Sequence, residues 1–181
     1  DKPNELGTSL RIDWIDLISY ANELPTCMYG GARRDTEGNL TSWLDYEKKD
    51  LANERVLNIG QDTKLLDQHV TYYSVNRALD EIRKKRDLKA DDYQWFVPHY
   101  SSEFFKPKLA AHMKEIDFDI PQEKWFTTLS ERGNVGSASI FIYVDDLVKT
   151  GKLKVGDKIL CFIPESSRFT VSYMQLTVVE Y

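Results

Sequence analysis

Two side chains in this sequence, His99 and Asn134, have the chemistry and the placement to hold a developing negative charge. His99 directly follows the apolar run 93–97 and Pro98, a pattern typical of a buried strand that ends at the proline. Side chains at that point of an α/β sheet reach the crevice at the carboxyl edge of the strands. A structural histidine with its hydrogen bonds satisfied remains the alternative.

Asn134 lies in the loop Gly133-Asn134-Val135-Gly136, just before a predicted helix. An asparagine that simply adopts a left-handed turn conformation is the alternative here. The functional interpretation needs a partner, and His99 is the candidate. A neutral amide N–H and a neutral imidazole N–H directed at one point would stabilise a developing enolate oxygen.

No nucleophile in the sequence belongs with this pair. Cys27 lacks the strand-to-helix elbow that would lower its pKa, and Cys161 lies inside an apolar strand. His69 and His112 are predicted to be surface residues. No phosphate-binding loop, dinucleotide fingerprint or metal-ligand spacing is present, so we predict neither a cofactor nor a metal.

Composition restricts the classes of protein to consider. The 181 residues suit one domain, 1–181, and the net charge of −5 argues against a nucleic-acid binder. No apolar run is long enough to span a membrane. The two cysteines are too few for a disulfide framework, which predicts a cytoplasmic location. The first four residues contain no initiator methionine, so we expect a piece of a longer chain.

The elements that position the pair follow an α/β pattern. Leu10, Ile12 and Trp14 alternate as in a half-buried strand, and an irregular excursion covers 29–55. A helix is predicted from Asp62, a buried strand at 93–97, and helices at about 102–115 and 137–148. Strands at 158–163 and 169–179 follow. The order predicts a layered α/β unit with a mixed sheet.

Three motifs in this order resemble the C-terminal half of β-ketoacyl carrier-protein synthase III. They are Val97-Pro98-His99, the run from Gly133 to Ile140 (GNVGSASI), and the run from Gly151 to Leu160 (GKLKVGDKIL). The resemblance implies a thiolase-like half, a layered αβα unit with a mixed five-stranded sheet. Residues 1–55 would be the first strand and a variable insertion, and 56–181 the catalytic core.

The resemblance also implies an activity. Such enzymes are acyltransferases of fatty-acid or related lipid biosynthesis that condense an acyl thioester, acyl-CoA or acyl carrier protein, with malonyl-loaded acyl carrier protein. His99 and Asn134 would stabilise the enolate formed by decarboxylation, whereas the nucleophilic cysteine belongs to the missing N-terminal half. We therefore expect this chain to be inactive alone, and the complete enzyme to be a homodimer.

Two departures from the family pattern lie near the pair. Tyr100-Ser101-Ser102 replaces Gln-Ala-Asn after the histidine. Ser166, Ser167 and Arg168 replace a glycine triplet, which in the family lies beside the oxyanion hole for the acyl group. An altered acyl pocket, and a specialised lipid or polyketide-like product, are what these replacements predict.

Basic residues are the candidates for docking an acidic carrier protein. Phe104 stands where the family commonly has arginine, so Lys106 and Lys108 could substitute, with Arg33 and Arg34 as further candidates. An ordinary solvated basic cluster is the alternative. Two other functions also remain open, a non-catalytic synthase-like partner subunit and a carrier-protein binding module.

Overall fold

A computed structural model of the chain describes residues 3, 5 and 7–180. The strands are β1 (Ser9–Ser19), β2 (Met28–Tyr29), β3 (Ala32–Arg34), β4 (Leu40–Ser42), β5 (Gly60–Gln61), β6 (Trp95–Pro98), β7 (Lys158–Glu165) and β8 (Thr170–Val179). The α-helices are α1 (Asp50–Asn53), α2 (Thr63–Tyr72), α3 (Asp80–Arg86), α4 (Lys106–Glu115), α5 (Leu129–Arg132) and α6 (Ser139–Lys149). The main sheet has the order β1-β8-β7-β6, and only β6 and β7 are parallel.

The predicted mixed sheet is confirmed, but its predicted fifth strand is not formed in the described residues. At the free edge of β6, Trp125 makes a single parallel bridge to Phe96, and the Phe126 amide donates to the Phe96 carbonyl at 2.8 Å. A 3-10 turn at Gln122–Lys124 precedes this bridge and α5 begins at Leu129. The extended segment between them is therefore too short for a full strand, and the sheet has four.

The long helix predicted from Asp62 is present and begins with a side-chain cap. Asp62 Oδ1 accepts from the Leu65 amide at 2.9 Å. A π-helical segment, Tyr73–Leu79, joins α2 to α3. Its wider turn explains the spacing of the residues that face the core, because Val70 and Val75 are five positions apart and both are buried.

Helices cover both faces of the sheet, which confirms the layered αβα prediction. The strand β7 alternates: Leu160 and Phe162 pack with the α2–α4 side, whereas Ile159 and Cys161 pack against α6. Because both faces are buried, the strand is apolar at nearly every position. The two parallel strands that end near the candidate site are thereby held from both sides.

Strand β1 contains a bulge at Asp13, where its register against β8 shifts between Ile12 and Trp14. The Asp13 carboxylate accepts from Gln175 Nε2 at 2.8 Å and from the Thr177 hydroxyl. The bulge turns Trp14 to the α2 face, while Ile12 stays on the α6 face. The simple period-two expectation that placed Ile12 and Trp14 together is therefore wrong.

The predicted excursion at 29–55 has little regular structure of its own. Within the described residues its paired strands are β3 with β4, which form one short ribbon, and the end of β2, which pairs with β5 beyond the excursion. Leu40 and Leu44 are exposed there. The division at residue 55 into an insertion and a core remains a prediction.

Candidate active site

His99 lies at the carboxyl end of β6, as the sequence predicts. Its amide donates to the Phe162 carbonyl at 2.8 Å, which extends the parallel pairing of β6 and β7 by one residue. The side chain is 7% exposed, and burial lowers its pKa. The histidine is therefore held by the sheet and favours the neutral form, in which one ring nitrogen can donate.

Asn134 lies in an exposed loop before α6, and its backbone does not adopt a left-handed conformation. The positive φ angles belong to the flanking glycines, +73° at Gly133 and +63° at Gly136. The left-handed conformation considered as the alternative for Asn134 is therefore not adopted, and its role in catalysis stays a prediction. Asn134 Oδ1 accepts from the Gly136 amide at 3.0 Å, which leaves the Nδ2 hydrogens as the donors available to a ligand.

His99 and Asn134 line the same pocket, of about 930 Å³. Its apolar walls come from α2, from α4 with the turn before it, and from β7: Leu66, Val70, Phe104, Phe105, Leu109 and Phe162. An apolar pocket with a few convergent polar groups is the usual form of a small-molecule site. The geometry can therefore present two neutral donors to one ligand in a largely apolar environment.

The three predicted acyl-pocket residues separate in the structure. Ser166 lines the pocket, but Ser167 and Arg168 do not. The Ser167 hydroxyl donates to the Met28 carbonyl at 2.5 Å, and its own carbonyl accepts from the Cys27 amide at 2.7 Å. Arg168 donates to Thr26 Oγ1 and to the Ala21 carbonyl. Ser167 and Arg168 therefore hold the segment 21–28 in place.

Of the predicted docking residues, Lys108 lies nearest the pocket. Its ammonium pairs with Asp67 and stands 4.4 Å from the centre of the Phe104 ring. Asp67 and Phe104 both line the pocket, as does Lys64, which the sequence reasoning did not single out. Lys106 begins α4 and is partly exposed. The docking role of these lysines remains a prediction.

Arg33 and Arg34 lie on the ribbon strand β3, and both are paired. Arg33 forms an ion pair with Glu54. Arg34 pairs with Asp62 at 3.5 Å, donates to the Thr26 carbonyl and lies over the Tyr29 ring. The two arginines line a separate, smaller pocket. Arg34 thus has a clear structural role, and docking through either arginine remains a prediction.

Neither cysteine lines the large pocket. Cys27 is fully buried, with a pKa raised mainly by burial, and its thiol donates to the Asp62 carbonyl at 3.2 Å. Burial raises the pKa of Cys161 to about 12. A thiol so disfavoured as thiolate is a poor nucleophile. Neither thiol is thus placed or activated to react in the pocket, and the lack of a nucleophile in this chain stays a prediction.

The pocket walls were not identified from the sequence. Leu66, Val70 and Leu109 fit the apolar stripe of a helix, and that pattern is the same for a core residue and for a pocket wall.

The described residues contain no group of three or more metal-ligating side chains. Nor does any helix in the described part of the chain have the length and apolar character to cross a membrane.

Comparison with known proteins identifies the relatives of this chain. Residues 83–162 match the family model described as 3-oxoacyl-[acyl-carrier-protein (ACP)] synthase III C terminal. The β-ketoacyl-[acyl-carrier-protein] synthase III of Hyphomonas neptunium is 33% identical over 87 residues, 48% of this chain and 25% of that protein. The synthase III of Microcystis aeruginosa is 24% identical over 180 residues, 84% of this chain and 51% of that protein.

Solved structures show the same fold. The synthase III of Thermus thermophilus superposes with a TM-score of 0.66 at 19% identity, covering 97% of this chain and 48% of that one. The chain thus spans about half the length of these relatives, or less. The matches confirm the resemblance: this chain is related to the C-terminal half of the β-ketoacyl carrier-protein synthases III and has their thiolase-like fold.

Proposed function

We propose that this chain supplies the decarboxylation residues of a β-ketoacyl carrier-protein synthase III-type acyltransferase. The observation that carries the proposal is that a buried His99 and Asn134, whose Oδ1 is already occupied by the Gly136 amide, line one pocket. The substrates would be an acyl thioester and malonyl-loaded acyl carrier protein. The product would enter fatty-acid or related lipid biosynthesis in the cytoplasm.

The chemistry assigns one task to the two donors. The malonyl thioester carbonyl oxygen accepts from the imidazole N–H of His99 and from Asn134 Nδ2. As the carbon–carbon bond to the carboxylate breaks, carbon dioxide leaves and its bonding electrons form an enolate whose charge rests on that oxygen. The enolate carbon then attacks the acyl carbon of a cysteine thioester and releases the thiolate.

That cysteine would belong to an N-terminal half that this chain does not contain. Cys27 and Cys161 are buried away from the pocket and are the only cysteines in the sequence. Exposed apolar side chains on β1 and α6 also support a missing half: Ile15, Leu17 and Phe141 are 55%, 68% and 70% exposed. In this proposal the chain alone is inactive, and the complete enzyme is a homodimer.

The acyl-side loop favours a specialised relative over a housekeeping enzyme. The segment 166–168 lacks the glycines of the family, and two of its three residues bind the segment 21–28 instead of facing the pocket. A non-catalytic partner subunit is the second candidate, and the same loop is its support. Retention of both donors favours the enzyme.

Reconstitution distinguishes the two candidates. The chain is combined with an N-terminal half that carries the nucleophilic cysteine, and acyl thioester and malonyl carrier protein are supplied. The proposal predicts a cysteine acylated by the thioester and a condensed product, with neither formed by the chain alone. Acylation without condensation would support the partner-subunit alternative and contradict the enzyme.

A further inference from the structure

The two ring nitrogens of His99 have different surroundings. Nδ1 is shielded from solvent and has no hydrogen-bond partner in the described structure. The residue nevertheless lines the pocket, so the exposed edge of the ring is the one that carries Nε2. A buried acceptor or donor without a partner is unusual in a folded protein and needs an explanation.

Tyr143 provides a second unpartnered polar atom beside the same ring. It belongs to α6, is fully buried, and its hydroxyl has no partner among the described residues. The centres of the Tyr143 and His99 rings are 6.2 Å apart with an angle of 57° between the planes. The two atoms do not bond to each other directly, but at that separation of the rings one enclosed water can bridge them.

We propose that Tyr143 is a positioning residue whose hydroxyl fixes the tautomer of His99. The hydroxyl donates to one enclosed water, which in turn donates to Nδ1. An occupied Nδ1 lone pair leaves the single proton of the neutral ring on Nε2. The bridge thereby gives both buried atoms a partner and sets which nitrogen donates towards the pocket.

The consequence for chemistry rests on the proposed function. Only the tautomer with hydrogen on Nε2 can donate to an enolate oxygen from the pocket side. Helix α6 would then position both donors, since Asn134 precedes the helix and Tyr143 lies within its second turn. Neither position depends on the missing half, so the proposal can be tested on this chain.

Nitrogen NMR of the chain labelled with ¹⁵N-histidine tests the proposal. His69 and His112 provide reference signals, and His99→Gln identifies the His99 signals by their loss. The expected result at neutral pH is a protonated Nε2 and an unprotonated Nδ1 whose shift shows an accepted hydrogen bond. A predominant Nδ1–H form, or an Nδ1 shift typical of a free lone pair, would overturn the proposal without any variant.

The variant Tyr143→Phe keeps the ring and removes only the hydroxyl. We expect the ratio of the Nε2–H to the Nδ1–H form to fall about fivefold, as for the loss of one neutral hydrogen bond. Tyr20→Phe is the matched control, because the Tyr20 hydroxyl is also buried and lacks a partner in the described part of the chain, but lies on the opposite face of the sheet. An unchanged ratio in Tyr143→Phe, or an equal fall in Tyr20→Phe, would contradict the proposal.

Different experimental results would contradict the proposed role of Tyr143 and the proposed function of the chain. The NMR measurement uses no substrate, so an inactive reconstituted enzyme leaves its result intact. Conversely, a reconstituted enzyme that needs His99 but shows no tautomer change in Tyr143→Phe would retain the function and reject the role of Tyr143. Thermal unfolding of each variant checks that the fold is kept.

Discussion

The carboxyl ends of β6 and β7 lie side by side at one edge of the sheet, yet their polar residues do different work. After β6, His99 is buried, lines the pocket, and its Nδ1 has no hydrogen-bond partner among the residues that the structure describes. After β7, Ser167 and Arg168 use their polar groups on the segment 21–28. A position at the crevice edge is thus not enough to identify a catalytic residue. A candidate catalytic residue keeps polar atoms free to bind a ligand, whereas a structural residue uses them in hydrogen bonds within the protein.

The largest expected effect compares Asn134 with Ser166, which both line the pocket. In the reconstituted enzyme, Asn134→Ala removes one of two donors to the enolate oxygen and should lower the condensation rate by about 10²–10³. Ser166→Ala is the matched control and should change the rate far less. Equal losses of rate in the two variants would mean that Asn134 contributes no more to condensation than another polar residue of the pocket.

The pH dependence of stability probes the buried imidazole. Burial holds the pKa of His99 below its ordinary value, so the folded state keeps the ring neutral while the unfolded state takes up a proton below about pH 6.5. The folded state therefore loses stability as the pH falls from 7, with a limiting slope of about 1.4 kcal/mol per pH unit.

Urea unfolding at pH 7 and at pH 5.5, for wild type and for His99→Gln, measures this contribution. The wild-type protein should lose more unfolding free energy between the two pH values than the variant does. Identical losses would mean that the imidazole is as free to take up a proton in the folded state as in the unfolded one.

A smaller effect is expected at the end of β7. Ser167→Ala removes the hydrogen bond to the Met28 carbonyl and should lower the free energy of unfolding by about 1 kcal/mol, without direct loss of a pocket group. Urea unfolding measures the change, and Ser130→Ala, at an exposed serine outside the pocket, is the control. A lower condensation rate without a loss of stability would mean that Ser167 acts in catalysis and not only in stabilising the fold.

The weakest expected effect concerns docking. The double variant Lys106→Ala/Lys108→Ala should bind an acidic carrier protein severalfold more weakly than the wild type does. Added salt should reduce this difference in affinity between wild type and variant, because it screens the charges. Arg33→Ala with Arg34→Ala is the comparison, since those side chains lie on the β3–β4 ribbon and line a different pocket. Affinity that is unaffected by either pair and by salt would reject the docking prediction.

The sequence predicted the parts of the fold that follow from local patterns. The apolar run before His99, the capped helix from Asp62 and the two closing strands all correspond to observed elements. The missing fifth strand and the bulge at Asp13 were not predictable, because each depends on how a short segment meets its neighbour across the sheet. Register of that kind is set by tertiary packing.

The site was predicted in the same uneven way. Glycines around Asn134 and a proline before His99 are local signals, and the two side chains do line one pocket. The apolar residues that form the pocket walls could not be recognised from the sequence, because helix periodicity does not distinguish a residue that lines a pocket from one in the core. Nor could the sequence show that Ser167 and Arg168 bind the segment 21–28, since their partners lie about 140 residues earlier in the chain.

The most direct test of the central claim is the decarboxylation of malonyl carrier protein by the reconstituted enzyme with and without His99. We expect His99→Ala to lower the rate by about 10²–10³, whereas His112→Ala, towards the end of α4 away from the pocket, leaves it unchanged. A His99→Ala enzyme that decarboxylates at the wild-type rate would show that His99 does not stabilise the enolate.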